Sequence, residues 1–426
     1  MLSEYLHKPR PFEVHGRLSG LTRWMVFDEN GRRVPVQDQH GRWLWGGWWN
    51  DNLITNVGLE KLATNTCLWQ QAGQTYWRQY SQIGTGAAAP AFTDTDLGVK
   101  VQSTNSDAGF SENRSYVVGT TIKLEYTINH LHTMTADRSL TEYGYSPTDA
   151  AGATVIRELF RDQSNNPVTL TVLNGKKLRI THQLNITLSP FAATSVEFEI
   201  EEYDVAGALS PKITAATNAT PIQITTDANH RLATGNKVRI QNVGGNTAAN
   251  GIWAVTVVNS TQFTLDGSVG NGAYTSGGEV IRRYVADQTW AAEDANGTLQ
   301  GYGRQSIFGI WDPANAYNGG LKTADSGTIP AAETNSPNNW ENNTEVDATS
   351  VAVDAYVANS NERVKSIIFN EATANAAASG WRFGQDNTIA GQGYGGFKVK
   401  LTNPTTYTKA DTHTLTIKIK CTWARA

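Results

Sequence analysis

The chain has 426 residues, a formal net charge of −4 and a pI near 6.1. This length exceeds what one hydrophobic core usually supports, so we expect two or three domains. The acidic balance argues against a nucleic-acid-binding surface, and no run approaches the ~18 apolar residues of a membrane-spanning helix. The first seven residues lack the charged-then-apolar order of a signal peptide, so we expect synthesis and accumulation in the cytoplasm.

The first predicted element is a β-hairpin. Its strands are expected at residues 24–27 and 32–36, and Asn30-Gly31 is a typical tight-turn pair.

A dense group of tryptophans follows the hairpin. The segment GRWLWGGWW contains Trp43, Trp45, Trp48 and Trp49, and each ring carries a large apolar area that is costly to leave in water. Oligomer interfaces are enriched in aromatic residues, which favours a core and subunit contact. A stacking platform for sugar rings is the other hypothesis, because sugar sites also use aromatic faces. We predict that these four tryptophans anchor an interface.

A short helix is predicted near residues 56–65. Val57, Leu59 and Leu62 have helical spacing, and Asn56 is the expected N-cap. A strand should end at Ile83, before a loop of glycine, proline, threonine and aspartate that runs to residue 97 and favours tight turns.

These two segments, NLITNVGLEKLA at 52–63 and IGTG…APAFTDTDL at 83–97, resemble the start of a family of bacteriophage virion proteins of the tail-fibre or tail protein type. The segments SLTEYGYS at 139–146 and LFRDQSNNPVTLTVL at 159–173, continued through 177–184, fit the same family. The resemblance covers roughly residues 15 to 190. Tyr143 and Tyr145 depart from it, because the family more often has smaller aliphatic residues there. The resemblance implies a structural role in a virion.

Strict alternation of apolar and polar residues predicts half-buried antiparallel strands at 122–128, 177–180 and 196–200. Glu197 and Glu199 are expected on the solvent face of the last strand. Helical periodicity is nearly absent elsewhere, so the predicted fold class is all-β, with two β-sandwich-like lobes and an inserted small β-barrel.

The barrel is predicted between residues 210 and 278, where short alternating strands are separated by glycine and asparagine turns. Residues 216–278 resemble a module named after the first catalytic-cysteine half-domain of ubiquitin-activating enzymes, which recurs in phage tail proteins. This segment contains no cysteine, so the enzymatic implication of that name does not carry over.

The predicted domains are an N-terminal β-lobe at 1–208, the inserted barrel at 209–281 and a C-terminal β-lobe at 282–426. The ends of the barrel should lie close together if it replaces one loop. Similar strand spacing in the two lobes indicates either an internal duplication or a shared sandwich pattern alone.

The sequence contains no recognisable catalytic constellation. His130 and His132 are expected at the surface, since no further metal ligands follow them. Asp94 and Asp96, and the run at 162–166, are attributed to turns because neither matches an EF-hand loop. Cys67 and Cys421 are expected to be buried thiols. We therefore predict no enzyme, no metal and no cofactor.

Two glycine-dense runs carry Tyr302 and Tyr394, which we predict to be exposed tips for receptor contact, with ordinary long turns as the other reading.

Together these features predict a structural protein of a tailed-bacteriophage virion, in the tail apparatus (fibre, adaptor or collar appendage), made and assembled in the host cytoplasm. Its expected partners are other copies of itself in a symmetric assembly, neighbouring tail or portal-proximal virion proteins, and a host surface glycan, without nucleic acid or membrane insertion. A capsid or collar decoration protein and a host-glycan-binding adhesin are the alternatives.

Overall fold

The computed structural model describes residues 11–63, 75–118, 121–189, 195–290, 321–325, 346–347, 350–369, 377–384, 396–404, 407–408 and 412–426. Within them the fold is all-β, as predicted, with a single α-helix. Tyr302, Tyr394 and Cys67 lie outside these residues.

Among the described residues of the first half of the chain there are fifteen strands and the helix, α1, which spans Asn56–Ala63. The strands are β1 (Phe12–Phe27), β2 (Arg33–Val34), β3 (Val36–Gln37), β4 (Trp43–Leu44), β5 (Asn50–Ile54), β6 (Tyr80–Gly84), β7 (Lys100–Thr104), β8 (Asp107–Val118), β9 (Thr121–Thr133), β10 (Arg138–Leu140), β11 (Glu142–Ser146), β12 (Ile156–Leu159), β13 (Leu170–Val172), β14 (Lys177–Ser189) and β15 (Ser195–Tyr203).

The second half adds fourteen strands in the described residues. They are β16 (Ile213–Ala216), β17 (Ile222–Thr226), β18 (Lys237–Gln241), β19 (Gly251–Asn259), β20 (Gln262–Leu265), β21 (Glu279–Trp290), β22 (Leu321–Asp325), β23 (Val346–Asp347), β24 (Ser350–Val353), β25 (Glu362–Phe369), β26 (Ala377–Gly384), β27 (Gly396–Asn403), β28 (Tyr407–Thr408) and β29 (Thr414–Arg425).

Strand β1 organises the sheet. It pairs antiparallel with β14 from His15↔Ser189 to Phe27↔Lys177, and β14 pairs in turn with β9. The first part of β1 also pairs in parallel with β29, from Phe12↔Ile419 to Leu18↔Arg425. Strand β29 then pairs with β25 and β15. The chain's first and last described strands are therefore neighbours.

The strands of both predicted lobes contribute to one hydrophobic cluster, which runs from Val14 to Trp423. Residues 213–280 form a separate cluster, around Ile224, Val238 and Phe263. The division into three domains stays a prediction, and these clusters describe how the apolar side chains are grouped.

The segment between β16 and β21 curls into a small barrel. Its strands pair in the order β16-β17-β20-β19-β18-β21. The backbone amide of Ile213 donates to the carbonyl of Gly278 at 2.9 Å, and that of Val280 donates to the carbonyl of Pro211 at 3.3 Å. These bonds join the first strand to the last, so the two ends of the inserted segment are adjacent.

The predicted hairpin is present, since β1 and β2 are antiparallel and Gly31 has a positive φ of 78° at the turn. The Asp28 carboxylate accepts hydrogen bonds from the backbone amides of Asn30 and Arg32 at 3.0 and 2.8 Å. An aspartate that bonds its own backbone in this way stabilises a tight turn.

The helix lies where the spacing predicts it, but its N-cap is Thr55 and not Asn56. The Thr55 hydroxyl accepts from the backbone amide of Gly58 at 2.9 Å and donates to the carbonyl of Thr154 at 2.8 Å. Asn56 is the first helical residue, and its side chain accepts from Arg425 at 2.6 Å. The prediction of Asn56 as N-cap was wrong, because the preceding threonine satisfies the exposed helical amide.

The loop at 84–99 is held by one buried carboxylate. Glu142 accepts hydrogen bonds from the backbone amides of Gly86 at 2.8 Å, Gly98 at 3.0 Å and Val99 at 2.8 Å. It also accepts from Arg157 Nε at 2.9 Å. A Cβ at position 86 would lie 2.3 Å from a Glu142 carboxylate oxygen, so glycine is required there by close approach.

Candidate functional site

The four tryptophans divide into one that packs inward and three that face solvent. Trp48 is half-buried, its ring lies edge-on to Trp24 at 5.5 Å, and its indole donates to the Arg161 carbonyl at 3.1 Å. Trp43, Trp45 and Trp49 are 63%, 52% and 36% exposed. Trp48 thus fixes the segment to the body, while the other three form a surface.

Two glycines bring this segment against β1. Gly46 and Gly47 have positive φ angles of 65° and 90°. The Gly47 amide donates to the Trp24 carbonyl at 2.8 Å, and a Cβ on Gly46 would lie 2.3 Å from that same oxygen. Only glycine suits both the left-handed backbone and the close approach.

Three arginines lie beside the exposed rings on one face of the sheet. Arg23 is on β1, while Arg33 on β2 pairs with Phe27 and Arg179 on β14 pairs with Met25, and paired residues share a face. Residues 23, 25 and 27 also share that face, since a strand alternates.

Each of these arginines stacks on an aromatic ring. The guanidinium carbon of Arg23 lies 4.5 Å from the Trp49 ring centroid, that of Arg179 lies 4.6 Å from Phe27, and that of Arg33 lies 6.0 Å from Trp45. These distances are in the range of cation–π attraction. Together Trp45, Trp49, Phe27, Arg23, Arg33 and Arg179 form what we call the tryptophan–arginine surface.

The arginines of this surface have no carboxylate partner among the described residues. The Nε atoms of Arg23 and Arg179 are buried and make no hydrogen bond there. Asp51, which pairs with Leu21 on the same face, forms no ion pair with them within 4.0 Å. Burial, and then repulsion from Arg33, lower the pKa of Arg23 from its usual value. Burial, and then repulsion from Arg23 and Arg33, lower the pKa of Arg179 in the same way. The surface carries uncompensated positive charge.

Comparisons with known proteins add no identification. No protein-family model matches this chain, and a search of the curated proteins found no match. The resemblance to phage virion proteins therefore stays an expectation from sequence.

The structure corrects the prediction for His130 and His132, because both side chains are buried. The inward positions of β9 are the even-numbered ones, and these two histidines continue that face after Ile128. His182 on β14 is also buried, and its Nδ1 lies 2.5 Å from Nη1 of the buried Arg78. His130 bonds the Gln79 carbonyl at 3.1 Å and His132 bonds the Ser81 hydroxyl at 3.0 Å.

The prediction that Glu199 faces solvent was also wrong. Glu199 is 3% exposed and accepts from Arg239 Nε at 2.9 Å, while Glu197, half-buried, accepts from Lys237 at 2.8 Å and Arg283 at 2.7 Å. Strand β18 of the barrel carries Lys237 and Arg239, and strand β21 carries Arg283. A cavity of about 180 Å³ beside them is lined by arginines of this ion network, Arg231, Arg282 and Arg283.

Asp94 and Asp162 act in turns and ion pairs. Asp162 accepts from the backbone amides of Ser164 and Asn166, both at 2.9 Å, and Asp94 accepts from the Ala91 amide and from Arg157.

In the part of the chain that the structure describes, no three acidic, histidine or cysteine side chains are grouped to hold a metal ion. In that same part, no helix has both the length and the apolar character needed to cross a membrane. Cys421 is buried, as predicted.

Proposed function

We propose that the chain is a non-enzymatic structural component of a tailed-bacteriophage virion, in the tail apparatus, acting in assembly and host attachment. The order and spacing of the motifs over residues 15–190 support a virion protein. The observation that carries the contact role is the exposure of Trp43 on β4 and of Trp45 and Trp49 in the connection from β4 to β5. Large exposed aromatic groups mark interaction sites, since isolated proteins rarely leave them in water without use.

Location in the particle is tested by electron microscopy of virions labelled with gold-conjugated antibody. The antibody is raised against the full chain and selected for binding to residues 210–280, the predicted outward-projecting barrel. We expect label at the tail or neck. Label over the head would replace the tail proposal with capsid decoration, and absence of label on intact particles would contradict an exposed barrel.

Trp43 is the best placed of the three to anchor a contact with another copy. Its side chain is the most exposed and makes no hydrogen bond or ring contact among the described residues. We expect Trp43→Ala to leave the unfolding temperature unchanged and to weaken self-association about thirtyfold, as for the loss of a hot spot of about 2 kcal/mol. Sedimentation velocity over a concentration series measures this. Val205→Ala, which shortens another exposed apolar side chain away from the tryptophans, is the control, and equal association of both variants and wild type would remove Trp43 from the interface.

A host-glycan-binding adhesin is the second candidate function. The specific observation in its favour is that Trp45 and Trp49 are exposed beside polar guanidinium groups instead of being sealed by apolar neighbours. Sugar sites combine aromatic faces with a few oriented polar groups. Within a tail protein, this activity would be the attachment step of the function proposed above.

A further inference from the structure

The tryptophan–arginine surface repeats one chemical unit three times. Each unit is an aromatic ring with a guanidinium group stacked on it: Trp49 with Arg23, Trp45 with Arg33, and Phe27 with Arg179. The backbone places these units on adjacent strands β1, β2 and β14 and on the segment fixed by Gly46 and Gly47. The three arginines and Phe27 therefore lie on one face of the sheet, and Trp45 and Trp49 lie beside it in the connection from β4 to β5.

The cations of this repeat lack counter-charge within the described chain. The buried Nε atoms of Arg23 and Arg179 have no hydrogen-bond partner there, and neither side chain forms an ion pair. Arg33 is held in place by its own hydrogen bonds to the carbonyls of Trp45 at 3.0 Å and Gly46 at 2.6 Å. Carbonyl bonds orient a guanidinium group without neutralising it, so the positive charge stays available to an incoming anion.

We infer that this surface binds an acidic polysaccharide whose repeating sugars each carry a carboxylate. The apolar face of a sugar ring would lie on an exposed indole, and its carboxylate would pair with the neighbouring arginine, as guanidinium groups bind carboxylates in a fork geometry. A polymer offers ring and carboxylate at every repeat, which matches the repeat on the protein. This inference rests on the proposed attachment role and names its ligand class.

The charge pattern also argues against a symmetric contact between two copies at this surface. A two-fold interface places the same patch against itself, so the three arginines of one copy would face those of the other. Juxtaposed like charges cost several kcal/mol. The repeat therefore favours a ligand of opposite charge over a second copy bound face to face.

The test is isothermal titration calorimetry of the full chain with a tetrasaccharide of galacturonic acid at fixed ionic strength. Its fully methyl-esterified form is the matched ligand, because it keeps the rings and removes the charges. We expect measurable binding of the free acid, weakened by added salt, and at least about tenfold weaker binding of the ester, as for the loss of charged hydrogen bonds.

Variants of the protein provide the second arm. We expect Arg23→Gln and Trp45→Ala each to weaken tetrasaccharide binding about tenfold or more. Arg32→Gln, which removes an equal charge from an exposed residue next to Arg33, should leave binding unchanged. Trp45→Ala keeps the test valid if Arg23→Gln fails to fold, since Trp45 is 52% exposed.

Four results would overturn the inference: no binding of the free acid, equal binding of the ester, an equal loss in Arg32→Gln, or tighter binding of a polyglutamate peptide of the same charge. The last would identify an acidic protein as the partner. None of these results moves the gold label on the virion, so the failure of this inference is distinguishable from the failure of the tail proposal.

Discussion

Replacing Glu142 by glutamine is expected to lower the free energy of unfolding by about 3–5 kcal/mol, the usual cost of breaking a buried ion pair from one side. The substitution removes the charge that accepts from three loop amides and from Arg157, whose side chain is buried. It also turns an amide NH₂ group, itself a donor, toward those donors. Urea denaturation measures the loss.

The same variant has a local signature. The amides of Gly86, Gly98 and Val99 should exchange with deuterium faster than in wild type under native conditions, because their acceptor is gone. Glu29→Gln is the control, since Glu29 is exposed and the same chemical change there removes no buried bond. Wild-type protection of the three amides in Glu142→Gln would show that the loop is held by its other contacts.

Acidification is expected to destabilise the protein from about pH 6.5 downward, before the carboxylates titrate near pH 4. Burial, and then Arg78, lower the pKa of His130 to about 4 against the bond to Gln79, and burial with His130 lowers the pKa of His132 to about 3. Burial, and then Arg78, hold the pKa of His182 well below 6.5. Tyr126 and Tyr145 are the other titratable groups against this cluster.

Acid destabilises the fold because the unfolded chain binds more protons than the folded one. The unfolded histidines take up protons as the pH falls through 6.5, whereas the folded ones stay neutral, so acid favours the unfolded chain. Stability is complete above pH 6.5 and is lost progressively down to about pH 4 for His130. At pH 5 the loss is roughly 2 kcal/mol each for His130 and His132, or about 4 kcal/mol for the two, which is a large part of the whole stability of many proteins. The lowered pKa of His182 acts in the same direction.

A pH titration followed by circular dichroism measures this transition. His132→Gln should move the acid midpoint to lower pH, because one of the protonating groups is gone, while its amide can still reach the Ser81 hydroxyl. His40→Gln, an exposed histidine, should leave the midpoint in place. A midpoint that is identical in wild type and His132→Gln would contradict the assignment of acid lability to this cluster.

How much of this fold was predictable depended on whether a pattern was local. The alternation at 122–128 predicted β9, and the helical spacing after Asn56 predicted α1, because both patterns lie within one element. The cap was missed because Thr55 and Asn56 are both good N-cap residues and only their geometry separates them.

The wrong predictions of solvent exposure have a different cause. The burial of Glu199 depends on Arg239, which lies forty residues further along the chain on another strand, and no local signal reveals that pairing. The alternation of β9 places His130 and His132 on its buried face, but we predicted them at the surface because their side chains are polar. The sequence predicted that the four tryptophans cluster, but not which of them faces inward. Trp48 faces inward because its ring packs against Trp24 and its indole donates to the Arg161 carbonyl.

The parallel pairing of β1 with β29 has a consequence for synthesis. Residues 12–18 find their partner strand at residues 419–425, about 400 residues later. At about 5–20 residues per second, a ribosome needs roughly 20–80 s to make that distance. During this interval the free edge of β1 is open to strands of other nascent chains, and exposed edges promote such mispairing. Yield of native protein in the cell should therefore depend on chaperone supply more strongly than the equilibrium stability of the finished chain would indicate.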